Sequence, residues 1–360
     1  MKIIFLNWRD MTHPRRGGAE VLAEGLARRM AAEGHEVTFF SSRVSNQPSD
    51  EIRDGVRHVR RGGRLSVYPA AYAWLQQEKP SYDLLVDHIN TVPFFTPLFQ
   101  PRKSIALINQ LALDVWRYEA PLLATVGITA ERWYHRAYRT LPAITISQSS
   151  YDDLRRYGWR GRIEIIRMPF SGGSSALVAK TQQPSISFVG RLTPSKRPEH
   201  ALRAFAVVRQ NIPTATMRVI GEADNQRYFR RLQQLAASIG SVTLSGRLSD
   251  AERQRAVGET HILFTTSVRE GWGLVVTEAN AAGTPVIGYD VPGLRDSIKS
   301  TAGVLVPSGD TRALGQAAIA LLEDPVRYER MRQSAMQDAR QYNWETTLSD
   351  FKRALSVLAR

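Results

Sequence analysis

An α/β chain of two domains, each a parallel sheet flanked by helices, is the fold class that three features of the sequence predict. The chain has 360 residues, about twice a common domain length. Short apolar runs alternate with segments whose apolar residues recur at helical spacing. That alternation fades into a polar stretch near the middle and then starts again.

Lys2-Ile-Ile-Phe-Leu-Asn7 reads as the first strand, followed by a loop of turn formers ending in Gly17-Gly18. Ala19, Leu22, Ala23, Leu26, Ala27 and Met30 then mark one face of a helix that Gly34 closes, and Val37-Thr-Phe-Phe40 is the second strand. Residues 84–86, 104–108 and 144–146 are further strands between helical patterns, and a strand-like stretch at 163–168 leads to Pro169. Residues 169–184, with Ser171-Gly-Gly-Ser-Ser175, read as a linker. Strands resume at 186–190, 216–221, 242–245, 262–265, 285–288 and 304–306, with helices near 199–209, 226–239 and 274–282. Helical tails cover 311–322, 328–341 and 344–358. The expected organisation is a first domain of residues 1–168, a second of 185–342, and a terminal helix within 343–360 packing back on the first. Two such domains predict a ligand cleft between the carboxyl ends of their sheets.

Composition removes whole classes of chemistry. There is no cysteine, which excludes disulfides, Cys-based zinc or iron–sulfur sites and a thiol nucleophile. No uncharged apolar run nears the roughly 18 residues that cross a bilayer, and the start is too short for a secretory core of about 7 residues or more. The expected location is the cytoplasm, at its membrane face where the chain docks. A net charge of +14 favours anionic partners, among them nucleotide phosphates and anionic lipid. No nucleic-acid module is recognisable, so none is expected as partner.

The segment 267–292 carries most of the chemistry. Glu270 and Glu278 stand eight residues apart, and Gly271 and Gly273 let the backbone pass close to a ligand and turn into a helix near Leu274. The amides of such a helix start seat a phosphate. A carboxylate at Glu278 can accept two hydrogen bonds from a ribose diol, and Glu270 can grip sugar hydroxyls or a developing positive charge. Both glutamates equally suit a role as helix-dipole partners.

This segment resembles the Glu-x7-Glu signature of the family 4 retaining glycosyltransferases, whose GT-B fold pairs two Rossmann-like domains. Other pieces follow in family order: Gly17-Gly18-Ala19-Glu20, Phe188-Val-Gly-Arg191-Leu-Thr-Pro-Ser-Lys196-Arg197-Pro, Gly283-Thr-Pro-Val-Ile, Val291-Pro-Gly293 and Gly303-Val-Leu-Val-Pro-Ser-Gly-Asp310. The resemblance implies transfer of a sugar from a nucleoside diphosphate sugar to a saccharide or lipid-linked hydroxyl, with an α-linked product. It implies that Arg191, Lys196, Gly18 and the amides of Gly273 and Leu274 take the diphosphate. Glu278 then takes the ribose and Glu270 the sugar. No Asp-x-Asp motif occurs, so no metal or other cofactor is expected, the two cations and the helix start standing in for an ion.

His88 falls just past the third strand, where similar family members place a histidine against the donor sugar or reaction centre; a routine loop hydrogen bond is the bland alternative. Asn90 and Gln110, at comparable strand ends, are acceptor candidates. Gly246-Arg247-Leu248 resembles the turn that reads the nucleobase, while Gly221-Glu222 departs from the usual Gly-x-Gly and leaves the base open. Residues 131–139 mix cations with aromatics, and Arg28, Arg29, Arg57, Arg60, Arg61 and Arg64 add charge that would suit an anionic membrane. The alternative is a solvated face with Trp133 and Tyr134 in the core. A nucleotide-sugar hydrolase or epimerase, and a noncatalytic nucleotide-sugar binder, are the competing functions. A dehydrogenase is disfavoured, because Gly-x-Gly-x-x-Gly is missing after the first strand.

Overall fold

The computed structural model describes residues 1–170 and 178–358; the Ser-Gly stretch of the expected linker therefore lies outside the described residues. The chain divides into two compact units, the first comprising Met1–Leu113, Thr125–Pro169 and Glu345–Arg360, and the second Asp114–Ala124 and Phe170–Trp344.

In the first unit β1 (Lys2–Leu6), α1 (Gly18–Ala32), β2 (Glu36–Ser41), β3 (Asp50–Arg53), β4 (Val56–Arg60), α2 (Val67–Glu78), β5 (Leu84–Ile89) and β6 (Ser104–Ile108) follow in order. The chain passes through α3 (Val115–Glu119), which clusters with the second unit, and returns as α4 (Ala124–Tyr138), β7 (Ala143–Thr145), α5 (Gln148–Arg156) and β8 (Ile163–Ile165). The eight strands run in the order β3-β4-β2-β1-β5-β6-β7-β8, parallel throughout except for the β3–β4 hairpin. Their apolar runs are continuous rather than alternating because both faces are covered. Ile4, Leu6 and Leu85 pack against Val67, Ala71 and Trp74 of α2 on one face, while Phe5 stacks on Phe39 at 6.2 Å on the other.

The second unit holds β9 (Ser185–Val189), α6 (Pro198–Asn211), β10 (Thr216–Ile220), α7 (Gln226–Ile239), β11 (Val242–Leu244), α8 (Asp250–Glu259) and β12 (Ile262–Thr265). It continues with α9 (Leu274–Ala281), β13 (Val286–Tyr289), α10 (Leu294–Ser297), β14 (Gly303–Val306), α11 (Thr311–Leu322) and α12 (Pro325–Ala339). The six strands are all parallel in the order β11-β10-β9-β12-β13-β14. Ile186, Phe188, Leu263, Phe264, Val286 and Ile287 are buried at its centre, each worth about 1.5–3 kcal/mol against exposure.

The last helix, α13 (Trp344–Leu358), lies on the first unit's sheet: Phe351 stacks on Phe5 at 6.3 Å, and Asp350 accepts from Arg167 Nε at 2.8 Å. Both sheets are built outward from a central strand in one direction and then the other. The order reverses between β1 and β5 in the first and between β9 and β12 in the second, and at such switch points the diverging loops leave a crevice.

Three expectations need correction. His88 is inside β5 rather than just past it, since the ladder with β6 continues to Ile89. The strand expected over 163–168 stops at Ile165. Of the basic run, Arg60 is fully buried, bonded to Asp10 Oδ2 and Glu51 Oε1, each at 2.6 Å, while Arg57 and Arg61 pair with carboxylates. That run is therefore not a free cationic surface.

Candidate active site

In the second unit the loops after β9 and β12 border the switch point. They are tied together by Val268 N donating to the Ser195 carbonyl at 2.9 Å and by Thr266 Oγ1, 2.8 Å from the Lys196 and Arg197 carbonyls. This pinning brings the two loops' functional side chains into contact: Lys196 donates to the Glu270 carboxylate, which also accepts from Ser267 Oγ at 2.6 Å. Arg197 and Ser195, on either side of Lys196, bond to Tyr118 and Glu119 of α3.

Glu270 is fixed from its other side as well. Its amide donates to the Pro292 carbonyl at 3.0 Å, and Gly293, at φ 82°, lies so close that a Cβ there would sit 2.1 Å from the Glu270 carbonyl oxygen. Only glycine fits that approach. Gly273, also at positive φ, opens α9 with Leu274 as its first residue, so their amides belong to a helix end without intrahelical acceptors.

Arg191 follows β9 on a loop stitched to its neighbours: Gly190 N donates to the Ile220 carbonyl at 3.0 Å and Gly221 N to the Gly246 carbonyl at 2.8 Å. A Cβ on Gly221 would lie 1.8 Å from the Gly190 carbonyl oxygen, so the departure from Gly-x-Gly keeps the glycine that packing requires. The Arg191 side chain is exposed and makes no ion pair among the described residues. Arg247, exposed after β11, lies 3.7 Å from Glu222, and Leu248 is half-buried beside it.

Glu278 lies on α9 with its side chain 15% exposed, and its Oε2 accepts from Arg253 Nη1 of α8 at 2.5 Å. Burial pushes its carboxyl above the usual range, against the pull of the Arg253 guanidinium. Arg253 escaped the sequence reading because its partner lies on another helix, 25 residues away.

In the first unit, Gly18 begins α1, and its loop is held by three carboxylates, of which the sequence motif contains only Glu20. Glu20, fully buried, accepts from Gly17 N at 2.7 Å, from Arg9 Nη2 at 3.0 Å and from Asn90 Nδ2 at 3.1 Å. Glu24 accepts from Met11 N at 2.8 Å, and Asp10 from both Thr12 and Arg60. His88 is 1% exposed beside the Asn109 side chain; burial pushes it down to about 4, against the opposing pull of Asn109, so the ring is neutral near pH 7. Asn7, next along β1 to the Leu6–Asp87 pair, is likewise buried, and its side-chain Nδ2 and Oδ1 have no hydrogen-bond partner among the described residues. Gln110 follows β6, and its Oε1 has no hydrogen-bond partner among the described residues. The structure thus gathers Arg191, Lys196, Arg247, Leu248, Glu270, Gly273, Leu274 and Glu278 at the carboxyl edge of the second sheet, and Gly18, His88, Asn90 and Gln110 at that of the first.

A family model described as Glycosyltransferase Family 4 matches residues 16–169, and one described as Glycosyl transferases group 1 matches residues 174–338. The chain belongs to the family 4 glycosyltransferases. Among relatives of this glycosyltransferase is the D-inositol 3-phosphate glycosyltransferase of Streptomyces avermitilis, 27% identical over 92% of this chain and 81% of that protein. The fold is GT-B, as in sucrose-phosphate synthase from Thermosynechococcus elongatus, with a TM-score of 0.81 at 20% identity over 99% of this chain and 98% of that one. Anabaena HepE, solved with UDP-glucose, aligns with a TM-score of 0.74 at 18% identity over 99% of this chain and all of that one.

Proposed function

We propose that this enzyme moves a sugar from a nucleoside diphosphate sugar to a hydroxyl of a saccharide or lipid-linked acceptor, retaining the α configuration and needing no metal. One observation carries the reading: an uncommitted Arg191, the Lys196–Glu270 pair and the opening of α9 all border the switch point of the second sheet. As the glycosyl–phosphate bond breaks, negative charge grows on the leaving diphosphate. Arg191, Lys196, the amides of Gly273 and Leu274 and the start of α1 at Gly18 stabilise it as fixed charges and dipoles. Glu278 accepts from the ribose, Glu270 from the sugar, and Arg247 and Leu248 border the base.

The departing phosphate oxygen accepts the proton of the attacking hydroxyl, so no separate base is assigned. His88, neutral, hydrogen-bonds near the reaction centre rather than acting as a cation. Asn90 and Gln110 meet the acceptor. The HepE complexes make uridine donors the first to try, and the inositol phosphate relatives make a phosphorylated polyol the first acceptor.

A membrane face fits the same reading, and no helix among the described residues is long and apolar enough to span a bilayer. Val126 and Trp133, each 66% exposed, stand two turns apart along α4, and Arg132, Arg136 and Arg139 are exposed beside them. Trp133 is therefore not in the core, although Tyr134 is. Apolar side chains flanked by arginines suit the cytoplasmic membrane face, where a lipid-linked acceptor would be met.

The test is a thermal-shift screen of UDP, GDP, ADP and their sugars without metal, where a ligand at 100 times its Kd adds about 2.7 kcal/mol. Product analysis with and without acceptor then separates transfer from hydrolysis. The reading fails if Arg191→Ala and Lys196→Ala leave donor affinity and transfer intact.

A further inference from the structure

Arg253 has no part in the reading above, yet it holds one of that reading's two carboxylates. It sits in the first turns of α8, a helix fixed at its start by Ser249 and Glu252, whose side chains bond reciprocally to each other's amides at 3.3 and 2.9 Å. From there Nη1 reaches Glu278 Oε2 at 2.5 Å while Nη2 donates to Asp250 Oδ1 at 3.1 Å. The guanidinium is thus anchored at both ends of its planar fork, and its side chain is 25% exposed. Glu278 Oε1 makes no hydrogen bond among the described residues.

We infer that Arg253 is the positioning residue that makes Glu278 a selector of ribose over 2′-deoxyribose nucleotides. The inference rests on the proposed contact between Glu278 and the donor ribose. A vicinal diol offers two donors, and a carboxylate accepts both only when it is ionised and when its plane is held. Glu278 is mostly buried, which by itself favours the protonated carboxyl, a group that donates from one oxygen and accepts poorly at it. The Arg253 charge opposes this, and its bond fixes Oε2 so that Oε1 and the second lone pair of Oε2 remain for the diol. A 2′-deoxyribose leaves one of those acceptor positions unfilled in a desolvated site. Lysine would supply the charge without the fork that also grips Asp250.

Calorimetric titration with UDP, GDP and ADP, each beside its 2′-deoxy form, tests this without knowing the acceptor. The unaltered enzyme should prefer the ribose form of its nucleotide by about tenfold or more, since the lost bond is to a charged group. Arg253→Ala should collapse that preference to within about twofold, and Arg253→Lys should keep an intermediate share. A merely structural role would weaken both forms equally and leave their ratio unchanged, and that result overturns the inference. Glu278→Gln separates the two levels: if it too keeps the native ratio, the ribose contact itself is wrong, whereas if only Arg253→Ala keeps it, the fault lies with Arg253. Should Arg253→Ala not fold, the ratio in Arg253→Lys and Arg253→Gln decides by the same rule.

Discussion

Lys196 donates its ammonium to the Glu270 carboxylate, and Ser267 Oγ donates to the same oxygen at 2.6 Å. The cation and anion assigned to opposite parts of the donor thus neutralise each other in this structure. A diphosphate must compete with Glu270 for Lys196. Glu270→Gln should therefore bind the bare nucleoside diphosphate more tightly, by roughly 0.5–1 kcal/mol for a partly exposed pair, while transfer falls. Titration with the nucleoside diphosphate alongside initial rates reads both; weaker diphosphate binding in the variant would contradict the arrangement.

Arg191 offers the complementary case, because its side chain is exposed and makes no hydrogen bond or ion pair among the described residues. Arg191→Ala should lower kcat/KM by about 10²- to 10³-fold, the scale of removing one fixed transition-state donor. Its melting temperature should stay unchanged, since no packing or buried pair is lost. A large drop in Tm would show a structural role instead.

The loop before α1 depends on the buried Asp10–Arg60 pair. Arg60→Met removes the cation and leaves Asp10 buried without it, which should cost about 3–5 kcal/mol in denaturant unfolding.

Asp10 also gives that loop a pH signature. Burial alone would raise its carboxyl, but the Thr12 hydroxyl and the Arg60 charge outweigh burial and hold it below 3.8. A depressed folded value means stabilisation that is complete above the unfolded value near 3.9 and lost as pH falls through the folded one. The stability gap between the native enzyme and Asp10→Asn should therefore be widest above about pH 5 and close in stronger acid. A gap that widens on acidification would reverse the sign.

Gly293→Ala places a Cβ against the Glu270 carbonyl at a positive φ. It should destabilise the protein by about 1–3 kcal/mol and displace Glu270 from Lys196, so that transfer falls more than nucleotide binding. Kinetics and calorimetry on one preparation distinguish these two losses.

Trp133→Ala with Val126→Ser should weaken flotation with vesicles rich in anionic lipid, while rates on a soluble acceptor persist. Each exposed apolar side chain removed is expected to cost about 1–3 kcal/mol of membrane binding. Unchanged flotation would remove α4 as the docking surface.

The sequence by itself determined the α/β class, a largely parallel sheet in each half and the motif residues, though not the strand order or the β3–β4 hairpin. Continuous apolar runs, helical spacing and glycine-bearing loops are local patterns that the chain states directly. Only the tertiary structure decided which charges are free. Arg60 and Arg191 look alike in sequence, yet one is sealed against Asp10 and Glu51 and the other is open to solvent. Trp133 and Tyr134 are neighbours, yet α4 turns the first outward and the second in. Arg253 finds Glu278 from a different helix, and His88 is drawn into β5 by pairing with β6. Such relations join residues far apart along the chain and depend on desolvation, which is settled by what packs around a side chain and not by its immediate neighbours in sequence.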